Sequence, residues 1–188
     1  MIKAVATDKD LIVEILSGSF NDNPSVNYII RQDSKRLKRI AALMDYSFEM
    51  CLMFGKVWLS DNRKACALTL YPQDKRITLK AIWLDVKLIL HAIGVRRIKT
   101  VLHREARIKE KQLKQPMIYL WFIGVDPAEQ HKGTGSGLLN EVINLADEKG
   151  LPVFLETSVL QNLLWYKHFG FTIYDQLEFT YTLYFLKK

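Results

Sequence analysis

An apolar run, a glycine-rich turn and a helical pattern follow one another between residues 117 and 146, and this succession constrains the fold more than any other feature of the chain. Residues 117–125 are apolar, with β-branched and aromatic side chains, and predict a buried strand. Pro127 ends that strand, because proline has no N–H to donate to a β ladder. From Leu138 onward apolar residues recur at helical spacing, so the sequence predicts a strand–turn–helix unit of an α/β fold.

The turn between that strand and helix holds a large share of the glycines. Four of the nine glycines lie between positions 124 and 137. The first N–H groups of a helix have no partner within it, and together with the positive end of the helix dipole they bind phosphate well. Glycine lets a phosphate oxygen approach the backbone, because it has no Cβ. We therefore expect this turn to bind a phosphate-containing ligand.

Spacing distinguishes the known kinds of phosphate-binding turn. A Walker loop needs Lys and then Ser or Thr directly after its last glycine, whereas Gly137 is followed by leucine, so that loop is excluded. A dinucleotide-binding turn would use Gly133 and Gly135, with Glu156 at about the distance of its ribose-binding acid. Its first glycine should follow the strand almost at once, however, and residues 126–132 intervene here.

The spacing of the turn resembles the acyl-coenzyme A binding motif of the GNAT acetyltransferases. The residues that match the motif are Val125, Pro127, Gln130, Gly133, Gly135, Leu138 and Leu139. Residues 154–158 and 162–171, with a Tyr-x-x-x-Gly-Phe ending, resemble the strand and helix that follow in this family. The second segment is closest to the puromycin N-acetyltransferase type, and the resemblance covers residues 116–174.

The resemblance implies an α/β fold in which residues 1–188 form a single GNAT domain. Its sheet is mixed and mostly antiparallel, with six to seven strands and helices on both faces. A two-helix insertion at about 76–115 precedes the fourth strand. We expect this insertion to cover the acceptor side of the cleft; the alternative is that it only buries a face of the sheet.

The resemblance also implies that the chain moves an acetyl group from acetyl-CoA to a primary amine of a small molecule or peptide, by direct attack. Coenzyme A would then be bound through backbone N–H groups of the turn, through backbone atoms of the strand before it, and through a side chain of the last helix. The residues in these positions are Gln130, His131, Lys132, Gly133, Thr134, Gly135, Ser136, Ile123, Val125 and Asn162. A helix cap is the alternative role of Asn162.

Two residues are candidates for proton transfer. Tyr166 matches the family tyrosine placed near the sulfur, where it would act as general acid and contact the cofactor. The alternative is a buried tyrosine whose hydroxyl has a structural partner. Glu156 ends the strand beside the cleft and is the candidate base, with a structural ion pair or cap as the alternative. The four histidines have no spacing typical of a catalytic triad or a metal site, so no metal is expected.

The net charge of +7 is concentrated in residues 96–114, which carry eight Lys/Arg against two Glu. A solvated face of an amphipathic helix is one interpretation; nucleic acid or another anionic partner is the other. Aromatic residues are absent from this segment, which argues against a base-stacking surface. Two alternative functions follow: a non-catalytic acyl-CoA sensor, and a nucleic-acid-binding module that uses this helix.

The remaining features concern the cell compartment and assembly. Cys51 and Cys66 form no CxxC or Cys/His cluster and are predicted to be buried thiols in a reducing compartment. The most apolar window, 81–93, is shorter than the roughly 20 residues that span a bilayer. We therefore expect a cytoplasmic protein without a membrane partner. A homodimer is one of the oligomeric states that the sequence leaves open.

Overall fold

The computed structural model describes residues 1–188, whose strands form one sheet. The strands are β1 (Ile2–Lys3), β2 (Gly55–Leu59), β3 (Ala65–Leu70), β4 (Ile118–Val125), β5 (Val153–Thr157), β6 (Thr172–Glu178) and β7 (Thr182–Lys187). Their order across the sheet is β1-β2-β3-β4-β5-β7-β6. Only β4 and β5 pair in parallel, so the predicted mixed, mostly antiparallel sheet of six to seven strands is confirmed.

Helices cover both faces of this sheet, as the sequence predicted. They are α1 (Lys9–Ser19), α2 (Pro24–Ile29), α3 (Arg36–Phe54), α4 (Leu79–Leu88), α5 (Ile98–Lys111), α6 (Thr134–Lys149) and α7 (Leu160–His168). Short 3-10 turns span Ala6–Asp8, Pro72–Asp74, Val95–Arg97 and Pro127–Glu129, and a π-helical turn at Ile89–Ile93 extends α4. Each helix is too short or too polar to cross a lipid bilayer.

The two faces of the sheet bury separate apolar clusters. One cluster joins α1 and α3 to the sheet through side chains that include Ile12, Leu16 and Phe48. The other joins α6 and α7 to the opposite face, where Leu138 and Val142 supply the periodic apolar residues seen in the sequence. The strand–turn–helix unit therefore lies at the centre of the fold, with β4 between the two clusters.

The predicted insertion is present between β3 and β4 and is divided near Gly94, which has a φ of 81°. Its first helix, α4, packs Ala81 and Leu84 against the end of α3. Its second helix, α5, packs Ile108 against the β6–β7 hairpin. The insertion therefore reaches from α3 to the far edge of the sheet on the face that α1 and α3 also cover.

Gly55 offers a test of how closely β2 and β3 approach. An added Cβ there would lie 1.9 Å from the Thr69 carbonyl oxygen, which is backbone and cannot rotate away. We expect Gly55→Ala to lower the free energy of unfolding by about 2 kcal/mol through overpacking. Chemical denaturation with circular dichroism would measure the change.

Gly137 provides the matched control, because nothing lies within 4 Å of its added Cβ and it lies inside α6. Gly137→Ala should be neutral or stabilise by up to about 1 kcal/mol, since alanine is the better helix former. Equal stability of the two variants would contradict the close approach.

Candidate functional site

A bulge in β4 sets the geometry of the site. On β3, Leu68 faces Phe122 and Thr69 faces Leu120, so Trp121 has no partner. A bulge of this kind bends its strand and shifts the alternation of side chains by one residue. Accordingly Leu120 packs in the cluster of α6, whereas Phe122 packs with α1 and α3.

The pairing of β4 with β5 ends at the same point. The parallel ladder runs from Ile118 opposite Val153 to Leu120 opposite Leu155 and stops there. Both strands continue beyond it, β4 to Val125 and β5 to Thr157. A gap between two parallel strands therefore opens toward their carboxyl ends, and backbone groups along it have no ladder partner.

The direction of the backbone groups on β4 follows from one hydrogen bond. The Asp126 N–H donates to the Lys64 carbonyl oxygen just before β3, at 2.8 Å. Backbone groups along a strand point alternately to its two edges. The N–H and C=O groups of Ile123 and Val125 therefore point the other way, into the gap. The Gln130 side chain lies there too, since its Nε2 donates to the Val125 carbonyl oxygen at 3.4 Å.

The turn after β4 leaves a run of backbone donors free. His131 has a φ of 62° and Gly133 a φ of 83°, and these left-handed residues turn the chain into α6. None of the backbone N–H groups from Gln130 to Ser136 donates to a protein acceptor. The first that does is Gly137, whose N–H donates to the Gly133 carbonyl oxygen at 2.9 Å. The N-terminus of α6 and the turn before it therefore present a set of unpaired backbone N–H donors beside the gap.

The side chains of this turn leave those donors accessible. Lys132 pairs with Glu129 at 3.1 Å, and His131 is exposed. Gly135 lies over the strand, where an added Cβ would be 3.0 Å from Cγ2 of Val125. Thr134 follows Gly133 as the first residue of α6 and is half-buried.

α7 is tied to the same turn. The Trp165 indole N–H donates to the Ser136 hydroxyl at 3.0 Å. Asn162 is half-buried in the first turn of α7, and its side-chain amide has no hydrogen-bond partner. The helix begins after Val159 without any side-chain cap, so the alternative role of Asn162 as a cap is not observed.

Tyr166 lies on the side of α7 that packs in the α6 cluster and is only 5% exposed. Burial raises the pKa of its phenol well above the usual range, so the hydroxyl keeps its proton. The Tyr166 hydroxyl makes no hydrogen bond within the protein, and its oxygen is not completely enclosed. The structural partner considered from the sequence is thus absent, and the oxygen retains access to the surface.

Glu156 lies on the other face of the sheet. Leu155 packs in the α6 cluster, so alternation along β5 directs the Glu156 side chain toward α5. There its carboxylate accepts a hydrogen bond of 3.0 Å from Nε2 of Gln112. Burial raises the pKa of Glu156 to about 7, although the Gln112 amide, the Arg104 guanidinium and the Tyr119 hydroxyl all favour its charged form.

Arg104 departs from the expectation of a solvated basic face. It is 5% exposed, and its Nε donates to the Tyr181 hydroxyl at 2.9 Å and an Nη to the Ser25 hydroxyl at 2.6 Å. A signal for this burial exists in the sequence. Arg104 falls three residues after Val101 and four before Ile108, which places it on the apolar face of α5.

Aromatic side chains border this buried arginine. The ring of Tyr28 lies 5.6 Å from those of Phe179 and Tyr181, and the Arg104 guanidinium lies 5.9 Å from the Phe179 ring. These residues come from α2, α5 and the β6–β7 turn, which are far apart in the sequence. Their side chains and Glu156 therefore form a compact polar and aromatic cluster on the face opposite Tyr166, which we call the Arg104 cluster.

Comparison with known proteins agrees with this geometry. The model of the Acetyltransferase (GNAT) family matches residues 76–171. A relative described as an uncharacterized N-acetyltransferase from Schizosaccharomyces pombe is 45% identical over 58 residues, which cover 31% of this chain and 23% of that protein. The alignment thus spans less than a quarter of that relative's length.

Two solved structures show the same fold. One, described as histone acetyltransferase HPA2 and related acetyltransferase from Corynebacterium glutamicum, has a TM-score of 0.74 at 19% identity and covers 100% of this chain and 93% of that one. Arylalkylamine N-acetyltransferase 2 from Aedes aegypti has a TM-score of 0.65 at 14% identity, with 100% and 96% covered.

The family model spans about half of the chain and includes the gap, the turn and the whole of α7. The resemblance to the puromycin type within the family stays a prediction. The chain belongs to the GNAT acetyltransferase family, whose members take the acetyl group from acetyl-CoA.

Proposed function

We propose that this chain is an N-acetyltransferase that moves the acetyl group of acetyl-CoA to a primary amine of a small molecule or peptide. One observation carries the proposal: the free N–H groups from Gln130 to Ser136 adjoin a gap lined by backbone groups of Ile123 and Val125. A diphosphate followed by an extended amide chain has the complementary pattern of acceptors and donors.

The residues around the turn and gap suit coenzyme A. The N–H groups from Gln130 to Ser136 would donate to the diphosphate, and the α6 dipole adds a favourable field. Ile123 and Val125 would hold the pantetheine arm as a strand is held, through backbone atoms. The free side-chain amide of Asn162 would bond one of its amides.

Bound acetyl-CoA supplies a thioester whose carbonyl carbon is open to attack by an amine. A backbone N–H of β4 that points into the gap would donate to the carbonyl oxygen as charge develops on it. One such donor contributes about 3 kcal/mol of stabilisation to a transition state.

Glu156 and Tyr166 divide the proton transfers between the two faces of the sheet. Glu156, with a pKa of about 7, accepts a proton from the incoming amine directly or through water. Burial raises the pKa of Tyr166, so the phenol is a weaker acid but stays protonated, and it would donate that proton to the departing thiolate, which the same apolar surroundings make more basic. The acceptor would approach on the side of α5, where the Arg104 cluster lies.

The cysteines support a cytoplasmic location. Cys51 and Cys66 are free and buried, and burial raises the pKa of both thiols. Unpaired thiols suit a reducing compartment.

Replacing Tyr166 by phenylalanine tests its role as acid. We expect kcat to fall by about 10²- to 10⁴-fold, because the leaving sulfur loses its proton donor. The affinity for acetyl-CoA should change little, since the backbone supplies most of the contacts. Release of the free thiol across a panel of amines would measure turnover, and calorimetry would measure binding.

Tyr184→Phe is the matched control, because Tyr184 is half-buried against the α6 cluster that also contains Tyr166, and its hydroxyl makes no hydrogen bond. Its turnover should equal that of the wild type. Unchanged kcat in Tyr166→Phe would remove the acid role. Binding of acetyl-CoA without transfer to any amine would instead indicate a non-catalytic sensor.

The pH profile tests Glu156. A base must be deprotonated, so kcat/KM should rise as pH increases through about 7. Gln112→Leu removes a hydrogen bond that favours the charged carboxylate, so the rise should move to higher pH. Glu156→Gln should lower kcat/KM by about 10²-fold or more and should abolish its rise with pH near 7.

Gln115→Leu is the control for Gln112, because Gln115 is an exposed glutamine nearby whose side chain bonds nothing. It should leave the profile unchanged. A Glu156→Gln variant that keeps both the rate and the rise near pH 7 would assign Glu156 a purely structural role.

A further inference from the structure

The first helix of the insertion is apolar on two opposite faces. Ala81 and Leu84 pack against the end of α3. A second apolar row follows helical spacing on the solvent side, where its members are between 40% and 92% exposed. We call this row, together with Ile77 just before the helix, the exposed stripe; its other members are Leu79, Ile82, Trp83 and Val86 on α4 and Leu90 in the π-helical turn that follows.

The exposed stripe is unusual for a helix at the surface of a globular protein. An amphipathic helix normally presents charged and polar residues to water, and a helix that is apolar all round is normally buried. Here Leu79 is 87% exposed and Trp83 is 65% exposed. A contiguous exposed apolar patch marks an interaction surface, so we infer that something covers this one.

The charge around the exposed stripe indicates the kind of partner. Residues 75–99 contain seven Lys/Arg and one acidic residue, Asp85. Lys75 and Arg76 precede the stripe, and Arg96 and Lys99 follow it; all four are exposed. The partner is therefore apolar where it meets the stripe and anionic around it.

Two lysines on α4 fit the same interpretation. Lys80 pairs with Glu49 at 2.8 Å and Lys87 with Asp45 at 3.1 Å, both on α3. These pairs hold the ammonium groups at the side of α4, away from the apolar row. The exposed stripe is thus left without a charged side chain over it, while the free basic residues lie at its two ends.

We propose that the exposed stripe adsorbs to an anionic lipid surface. The apolar side chains would enter the interfacial region, with Trp83 at the level of the headgroups, and the basic residues would contact lipid phosphates and carboxylates. The helix lies in the plane of the surface and does not span the bilayer. This inference revises the expectation of no membrane partner.

The other occupants fit less well. A second copy of the chain would bring the same excess of positive charge against itself, and like charges oppose association. A nucleic acid would neutralise the basic residues but leave Leu79 and Trp83 exposed to water, since its accessible surface is charged. A lipid surface satisfies both the apolar row and its basic ends.

Vesicle sedimentation tests the proposal on the full chain. We expect binding to vesicles of phosphatidylcholine mixed with phosphatidylserine, and binding at least about tenfold weaker to phosphatidylcholine alone. Added salt should weaken binding, because it screens the basic residues. The double variant Ile82→Ser/Trp83→Ser should bind the anionic vesicles at least about tenfold more weakly, since it removes the centre of the stripe.

Leu37→Ser is the matched control, because Leu37 is also an exposed apolar residue but lies on α3 outside the stripe. It should bind vesicles like the wild type. Acetyl-CoA affinity measured in all three proteins shows that each is folded, and the vesicle result does not depend on whether transfer occurs.

Three results would overturn the proposal. The first is the absence of sedimentation with anionic vesicles at low salt. The second is equal sedimentation of the wild type and the double variant. The third is a dimer in sedimentation velocity that Ile82→Ser/Trp83→Ser dissociates, which would assign the stripe to a second copy of the chain.

Discussion

The end of the parallel ladder at Leu120 and Leu155 is the constraint on which the rest of the site depends. The bulge at Trp121 shifts the strand by one residue, so that the backbone groups of Ile123 and Val125 point into the gap rather than toward β3. Without the shift, these groups would pair with β3, and the backbone groups of Phe122 and Gly124 would face the gap instead. The glycine turn then begins α6 at the open end of the gap, which places free N–H groups beside it.

The sequence predicted the turn well because its signals are local. Pro127, Gly133 and Gly135 each constrain the chain within a few residues; Pro127 and Gly133 lie between β4 and α6, and Gly135 lies in the first turn of α6. The sequence indicated Glu156 as a site residue but did not predict the Arg104 cluster as a unit, because its members meet through tertiary packing. Arg104 shows the difficulty: its charge indicated solvent, whereas its spacing from Ile108 indicated the buried face, and the spacing was decisive.

The insertion combines two surfaces of opposite character. The buried Arg104 of α5 and Gln112, the residue after that helix, point toward the sheet, where they favour the charged form of Glu156. The exposed stripe of α4 faces the solvent, while Ala81 and Leu84 pack the opposite side of the helix against α3. The same insertion therefore covers the base that we propose and carries the surface that we assign to lipid. Glu156 and Tyr166 lie on opposite faces of the sheet, and the gap between β4 and β5 is the opening that connects the two faces.

Residue-resolved hydrogen exchange by NMR tests the central claim most directly, because it reports on individual backbone amides. Without ligand, the amides of Ile123, Val125 and residues 130–136 should exchange faster than those of the paired residues in β3 and β4, since they have no acceptor. Saturating acetyl-CoA should protect these amides selectively. Binding that leaves them unprotected, or no binding at millimolar acetyl-CoA, would contradict the account.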